Sequence, residues 1–347
     1  MSNSSKLIIV GLGLVGRRHA DAIRQINNAQ LVGVVDTSAA AHAYARECGV
    51  ECTDDLAAAF DKFSPDGVIL ATPTPLHVEQ GNLCVSRGCP VLIEKPLATS
   101  ATEAESLIAD AERLGVPVLV GHHRRYNPLI QKARALIDED VLGIIRSVHA
   151  QCWLYKPDHY YEEAPWRTRL GAGPLSVNLV HDIDLLRYLC GEIVSVSAQM
   201  APSSRGFENE EVAAAVIGFE NNAVGTVSVS DGIVSPWSWE LTAREYPVYP
   251  STQESCYLIG GSQGSLSVPD LTIWNQNGIR DWWEPISATS VHREASDPLI
   301  NQIKHFVKVI NKQETPLVSG SEGLKTMRVL EAISESARAS CTINVRY

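Results

Sequence analysis

Lys95 stands directly behind the apolar run Val91-Leu92-Ile93 in the stretch VLIEKPLATS, with Glu94 before it and Pro96 after it. An ammonium at the tip of a buried strand can donate hydrogen bonds to a substrate oxygen and stabilise negative charge as a hydroxyl loses its proton. Glu94 can hold the lysine, while the proline ring fixes the local backbone and can adopt the cis form. A Glu-Lys pair behind a strand equally suits a surface salt bridge. The second candidate is His181, within GAGPLSVNLVHDIDLLRYLCGEI. A reference pKa of about 6.5 suits histidine as a general base at neutral pH, whereas lysine, at about 10.4, would first need desolvation. Proton removal is therefore assigned to His181 and oxyanion stabilisation to Lys95.

A third constellation lies near the N-terminus, where LIIVGLGLVGRRHA reads as a strand, then Gly11-x-Gly13-x-x-Gly16, then a helix opened by Leu14 and Val15. Gly11 permits the tight turn, Gly13 lets the backbone approach a pyrophosphate, and Gly16 lets helix and strand pack closely. The helix N-terminus offers free N–H groups to phosphates. Asp36 ends the next apolar run, twenty residues after Gly16, in position to accept hydrogen bonds from a ribose diol. No arginine follows it until Arg46, so a 2′-phosphate would meet a carboxylate and no cation. NAD is expected rather than NADP.

The elements that must carry these residues follow from periodicity. Leu7–Val10, Leu31–Asp36, Val68–Ala71, Val91–Glu94 and Val118–Gly121 read as strands alternating with amphipathic helical segments, which means βαβ units and a parallel sheet. Ser100-Ala101-Thr102-Glu103 is a capping box and Gly115 a stop, so a helix joins the last two of those strands. In such a sheet ligands bind at the carboxyl ends of the strands. There Thr72-Pro73-Thr74-Pro75 forms a rigid turn, and His77 begins the next helix, where it either flanks the cofactor or is simply solvated. Beyond Pro128 the texture changes to a helix over 129–138, a strand over 145–153, a helix around 176–190 and long β-type runs separated by Asn-Asn, Gly and Pro turns. This predicts an α+β domain on a mostly antiparallel open sheet. All seven tryptophans fall in this part. The expected division is 1–124 for the cofactor domain and 125–347 for the second, whose last helix is expected to pack back on the first.

In the second domain, Asn178, His181 and Asp182 lie within a 100° arc of an ideal helix, with Leu179, Ile183, Leu186 and Cys190 forming an apolar stripe beside them. Asn178 suits a substrate hydroxyl, and Asp182 suits either orienting His181 or binding sugar. The loop WLYKPDHYYEEAPWRTR mixes Tyr155, Trp166 and Arg167 with other aromatic and polar groups. Such a mixture suits sugar rings, and it equally suits packing between layers. SPWSWE, over 235–240, reads as a strand with aromatics on one face, for core or oligomer packing rather than substrate contact.

Bulk composition narrows the class. At 347 residues the chain exceeds the usual single core. A net charge of −11 without a basic cluster argues against nucleic acid, and no run is long and apolar enough to cross a membrane. The polar start and short apolar run do not make a signal peptide, so a cytoplasmic location is expected. The eight cysteines include no C-x-x-C pair, so reduced core thiols are expected and no metal site.

Taken in order, Gly11-x-Gly13-x-x-Gly16, Asp36, Ala71-Thr72-Pro73, Glu94-Lys95-Pro96 and Gly121-His122-His123-Arg124-Arg125-Tyr126-Asn127-Pro128 resemble the family of glucose–fructose oxidoreductase, inositol dehydrogenase and MocA. The resemblance covers essentially the whole chain. It implies a Rossmann domain, a second domain whose large sheet serves oligomer contacts, a catalytic Lys95 before a cis proline, and oxidation or reduction of sugars, polyols or related compounds with NAD or NADP. His123 joins the expected cofactor contacts, with Thr72, Pro73, His77, Glu94 and Lys95, and Arg124 joins the substrate contacts; Arg124, Arg125 and Arg167 leave room for an acidic sugar and equally suit structural ion pairs. One position departs from the pattern: inositol dehydrogenase-like members carry an aspartate four residues before the histidine, and Val177 stands there. The expectation is an NAD-dependent dehydrogenase of a sugar, polyol or sugar acid, acting as a homodimer or homotetramer. Alternatives are a carbonyl, imine or dihydrodiol-type reductase and a non-catalytic NAD-binding sensor; sensors tend to lose Glu-Lys-Pro, which this chain keeps.

Overall fold

The computed structural model describes residues 4–347 and divides them into two compact units. The first runs to Tyr126 and takes in Ser296–Met327; the second comprises Asn127–Ala295 and Arg328–Tyr347. The 20-residue helix Gly320–Ala339 thus gives its first part to one unit and its remainder to the other.

In the first unit, six parallel strands, β1 (Ser5–Val10), β2 (Ala29–Val35), β3 (Glu51–Thr53), β4 (Gly67–Leu70), β5 (Val91–Ile93) and β6 (Val118–Val120), take the order β3-β2-β1-β4-β5-β6. This is the doubly wound order of dinucleotide-binding sheets, whose topological switch lies between β1 and β4. The strands are apolar without alternation because both faces are covered. Ile8, Val10, Val68, Leu70, Val91 and Ile93 face one core, while Leu7, Ile9, Ile69, Leu92 and Leu119 face the other. The connecting helices are α1 (Leu14–Ile23), α2 (Ala39–Glu47), α3 (Leu56–Phe63), α4 (His77–Ser86) and α5 (Ala101–Leu114). As expected, α5 starts at Ser100, whose hydroxyl accepts from the Glu103 N–H, and ends at Gly115 in the left-handed region. The helix Pro298–Ile310, capped by Asp297, lays Ile303 and Phe306 against the second core. Strand β3 escaped the sequence reading because Glu-Cys-Thr, an edge strand of three residues, has no apolar run.

The second unit holds a nine-stranded sheet of β7 (Ile145–Trp153), β8 (Ile193–Pro202), β9 (Glu210–Phe219), β10 (Val224–Ser230), β11 (Tyr257–Gly261), β12 (Gly264–Val268), β13 (Thr272–Asn275), β14 (Ser287–Ser290) and β15 (Ile343–Asn344). Their order is β14-β13-β12-β11-β7-β10-β9-β8-β15, and of the described pairings only β7 with β10 is parallel. Along β9 the side chains alternate, Ala213, Ala215, Ile217 and Phe219 inward and Val216 outward at 50% exposure. On the inward face pack α6 (Pro128–Asp138) and, beyond the short α7 (Asp158–Glu162), α8 (Val180–Cys190).

Two expectations change here. SPWSWE is a turn into the short helix Trp239–Thr242, because the Ser238 side chain caps that helix. Its Trp239 is a core residue, stacked on Tyr257 and donating to Glu245, while Trp237 packs edge-on against Trp153. Nor does α8 divide into a polar and an apolar face: every residue from Val180 to Arg187 is buried. Its polar groups tolerate this because partners meet them, Tyr257 donating to Asp182 and Arg187 gripping Glu192 with two nitrogens.

Candidate functional site

The carboxyl edge of the six-stranded sheet gathers the first set of residues. Gly11, at φ +87°, turns the chain after β1, and a Cβ there would lie 2.6 Å from the Ala71 carbonyl oxygen. At Gly16 a Cβ would lie 2.0 Å from the Gly11 carbonyl oxygen, so α1 can approach the turn only without one. Gly13 differs: a Cβ there would meet nothing within 4 Å. Its side of the turn is open, no side chain caps α1, and Leu14 and Val15 on its first turn are exposed. A pyrophosphate fits this opening, with the helix N–H groups toward it.

Asp36 is fixed across the same turn. Its Oδ2 accepts from the Leu12 N–H at 2.7 Å and its Oδ1 from the Ser38 N–H at 2.8 Å. Partial burial works to raise its pKa, but these two backbone donors outweigh it and hold the carboxyl below its ordinary range. An ionised carboxylate at the end of β2 suits a ribose diol and opposes a 2′-phosphate.

After β4, Thr72 and Pro73 lead through a 3₁₀ turn into α4. His77 is neither solvated nor open to the surface. It is 1% exposed, with Nδ1 2.9 Å from the Pro96 carbonyl oxygen and Nε2 2.9 Å from that of Thr72. After β5, the Lys95–Pro96 peptide is cis and Lys95 is half-buried. Glu94 accepts from the Lys95 backbone N–H at 3.2 Å and meets His19 Nε2 at 2.8 Å. Burial would raise the Glu94 pKa, yet the His19 hydrogen bond, with the charges of His19, His123 and Lys95, brings it down to about 2. Its carboxylate lies over Gly121, where a Cβ would come within 2.8 Å of it.

His19 is the residue that sequence reasoning missed. Its signal was position: three residues after Gly16, on the helix face that also buries Ala20 and Ile23. His123 is half-buried on the 3₁₀ turn His123–Tyr126, Arg124 is buried there, and Arg125 pairs with Glu322 at 3.1 Å.

The second unit gathers the rest. Gly173 leaves room for the Glu210 carboxylate, which accepts from the Leu175 N–H and starts a π-turn over Leu175–Leu179. Asn178 sits in this turn, 7% exposed, its Oδ1 buried without a hydrogen-bond partner among the described residues. π-turns of this kind recur at functional sites. His181 follows on the first turn of α8, 6% exposed, while Asp182 is fully buried beneath it with Tyr257. In the loop before them, Tyr155 and Trp166 are exposed. Arg167 lies 3.9 Å over the Tyr160 ring and donates to the Tyr160 carbonyl. Lys156, by contrast, is buried against Asp231, which also accepts from Tyr161.

Among the described residues no cysteine is joined to another by a disulfide. Among the described residues no three His, Cys, Asp or Glu side chains could together hold a metal ion, and no helix is long and apolar enough to cross a membrane.

Comparison with known proteins gives these features their context. Residues 5–122 match the oxidoreductase family model with an NAD-binding Rossmann fold, and residues 130–267 match the GFO/IDH/MocA C-terminal domain. A D-apiose dehydrogenase of Paraburkholderia graminis is 25% identical, over 97% of this chain and 89% of its own length. An NAD⁺-dependent scyllo-inositol 2-dehydrogenase of Bacillus subtilis is 26% identical, over 97% and 95%. A solved oxidoreductase of Agrobacterium radiobacter, in complex with NAD⁺, L-tartaric acid and magnesium, superposes with a TM-score of 0.84 over 99% of each chain at 18% identity, a likeness of fold. With a glycine turn open where a pyrophosphate would lie and both domain models matched in order, the chain belongs to the GFO/IDH/MocA family of NAD-binding oxidoreductases.

Proposed function

We propose that this protein is an NAD-dependent dehydrogenase that oxidises a secondary hydroxyl of a sugar, polyol or sugar acid. The observation that carries the reading is the placement of Lys95: half-buried, at the carboxyl end of β5 in the same sheet whose β1 and β2 end in the open glycine turn and Asp36, behind a glutamate held ionised. NAD, when bound, supplies the acceptor for the hydride leaving the carbinol carbon. The chain's own residues do the rest. Gly13 and the first turn of α1 bind the pyrophosphate, and Asp36 orients the ribose. The Lys95 ammonium donates to the substrate oxygen and stabilises its negative charge, and His181 takes the hydroxyl proton. Asn178, with a buried acceptor to satisfy, receives a hydrogen bond from a substrate hydroxyl. Tyr155, Trp166, Arg167 and Arg124 are the further substrate contacts of this reading, whereas Asp182, buried against Tyr257, supports the helix that carries His181. The relatives named as apiose and inositol dehydrogenases support a polyhydroxylated substrate.

The test is NADH absorbance on adding NAD and a panel of polyols, aldoses and uronic acids, for wild type and Lys95→Ala. Turnover with one compound class, falling by about 100-fold or more in the variant, supports the reading. A fully active Lys95→Ala refutes the role of the lysine; NAD binding with no turnover across the panel refutes the substrate class.

A further inference from the structure

We infer that His19 and His77 are positioning residues for Lys95, gripping the residues on either side of it, Glu94 and Pro96, from the helices that follow β1 and β4. The inference rests on the reading of Lys95 as catalytic and adds how that lysine is held.

Both imidazoles are shut away from solvent, His19 at 0% and His77 at 1% exposure. A buried polar ring is costly unless its nitrogens are used. Each ring is used next to Lys95. His19 Nε2 meets Glu94 Oε1 at 2.8 Å, and the other oxygen of that carboxylate accepts from the Lys95 backbone N–H. Gly121 completes the arrangement by leaving the carboxylate its space. On the opposite side, His77 lies 2.9 Å from the carbonyl oxygens of both Pro96 and Thr72. A carbonyl oxygen only accepts, so the ring holds such a contact by an N–H. The turn that presents Lys95 is thereby tied to α1, whose first turn faces the cofactor, and to the Thr72-Pro73 turn.

His19 also carries a cost that packing alone would not justify. Its Nδ1 is buried without a hydrogen-bond partner among the described residues. An apolar side chain would fill this space without that penalty, so the benefit lies in the bond to Glu94.

The experiment compares His19→Leu, His77→Leu and the conservative His19→Gln and His77→Gln in the full chain, with two readouts. The first needs neither substrate nor cofactor: the acetylation rate of the Lys95 amine, read by peptide mass spectrometry relative to exposed Lys6. With the turn that carries it freed from one hydrogen bond, at Glu94 or at Pro96, the lysine is expected to react about fivefold faster in each leucine variant, with the glutamine variants between that and wild type. The second is steady-state kinetics with the substrate found by the panel: kcat falls by up to about 100-fold, as for a reacting group misplaced by an ångström, while KM for NAD is unchanged. Should a leucine variant fail to fold, its glutamine counterpart decides. Labelling and kcat within about twofold of wild type, below the effect of one hydrogen bond, overturn the inference. A fully active Lys95→Ala would instead overturn the reading beneath it, and labelling would still show whether the histidines position the lysine.

Discussion

Replacing Gly13 by alanine separates the cofactor's requirement from the fold's. The residue has φ −68° and ψ −164°, an extended conformation open to any amino acid, and a Cβ there would meet no protein atom within 4 Å. The folded protein therefore loses nothing, and fewer unfolded conformations give about 0.4–1 kcal/mol of added stability. Binding is different, because the methyl group would occupy the open side of the turn. Displacing a pyrophosphate from one or two charge-assisted hydrogen bonds costs about 1.5–3 kcal/mol each, or roughly 10- to 150-fold in Kd for one. Thermal unfolding and calorimetric titration with NAD measure the two effects. Gly13→Ala is expected to melt no lower than wild type while binding NAD at least tenfold more weakly. Gly16→Ala is the contrast: with a Cβ 2.0 Å from the Gly11 carbonyl oxygen it must push α1 off the turn, at a cost of about 1–3 kcal/mol in stability. Wild-type NAD affinity in Gly13→Ala would refute the assignment of the pyrophosphate to this opening, and a marked loss of stability would refute the steric account.

The remaining predictions concern charge and satisfied polarity. If Asp36 holds the ribose as proposed, Asp36→Ala should weaken NAD about tenfold and narrow the preference over NADP, read as the ratio of the two dissociation constants, because it removes a carboxylate that would accept from the ribose and repel a 2′-phosphate. The His19 hydrogen bond and the neighbouring positive charges hold the Glu94 carboxyl down at about 2, well below the 4.5 of an ordinary glutamate. A depressed carboxylate contributes stability that is complete above pH 4.5 and is lost as pH falls toward 2. In acid unfolding, wild type should lose on the order of 3 kcal/mol over that window relative to Glu94→Gln. Asn178→Ala should raise KM for the substrate about tenfold yet leave the melting temperature unchanged or higher, since the Oδ1 it removes is buried and unsatisfied.

The geometry of the glycine turn and of Asp36 was legible because its demands are local. A sharp turn, a close helix and a carboxylate at the next strand end are backbone requirements, and each marks its residue type at a fixed spacing: Gly11, Gly13, Gly16 and Asp36. The strands β1, β4, β5 and β6 were legible for a related reason, since sheets covered on both faces write continuous apolar runs. β3 was not, having too few residues to write any pattern.

What the chain pattern left open depended on partners distant in sequence. Helical periodicity predicted a polar face on α8, but Tyr257, 75 residues beyond Asp182, supplies the hydroxyl that lets that face be buried. His77 read equally as solvated until Pro96, 19 residues on, was folded against it, and His19 acquired a role only through Glu94, 75 residues away. The segment Ser296–Met327 likewise belongs to the first unit, although more than 160 residues of the second unit precede it. Local sequence dictates what the backbone does within a turn or a strand. Which buried nitrogen or carboxylate finds a partner is decided by the packing of remote elements, and no spacing rule encodes that packing.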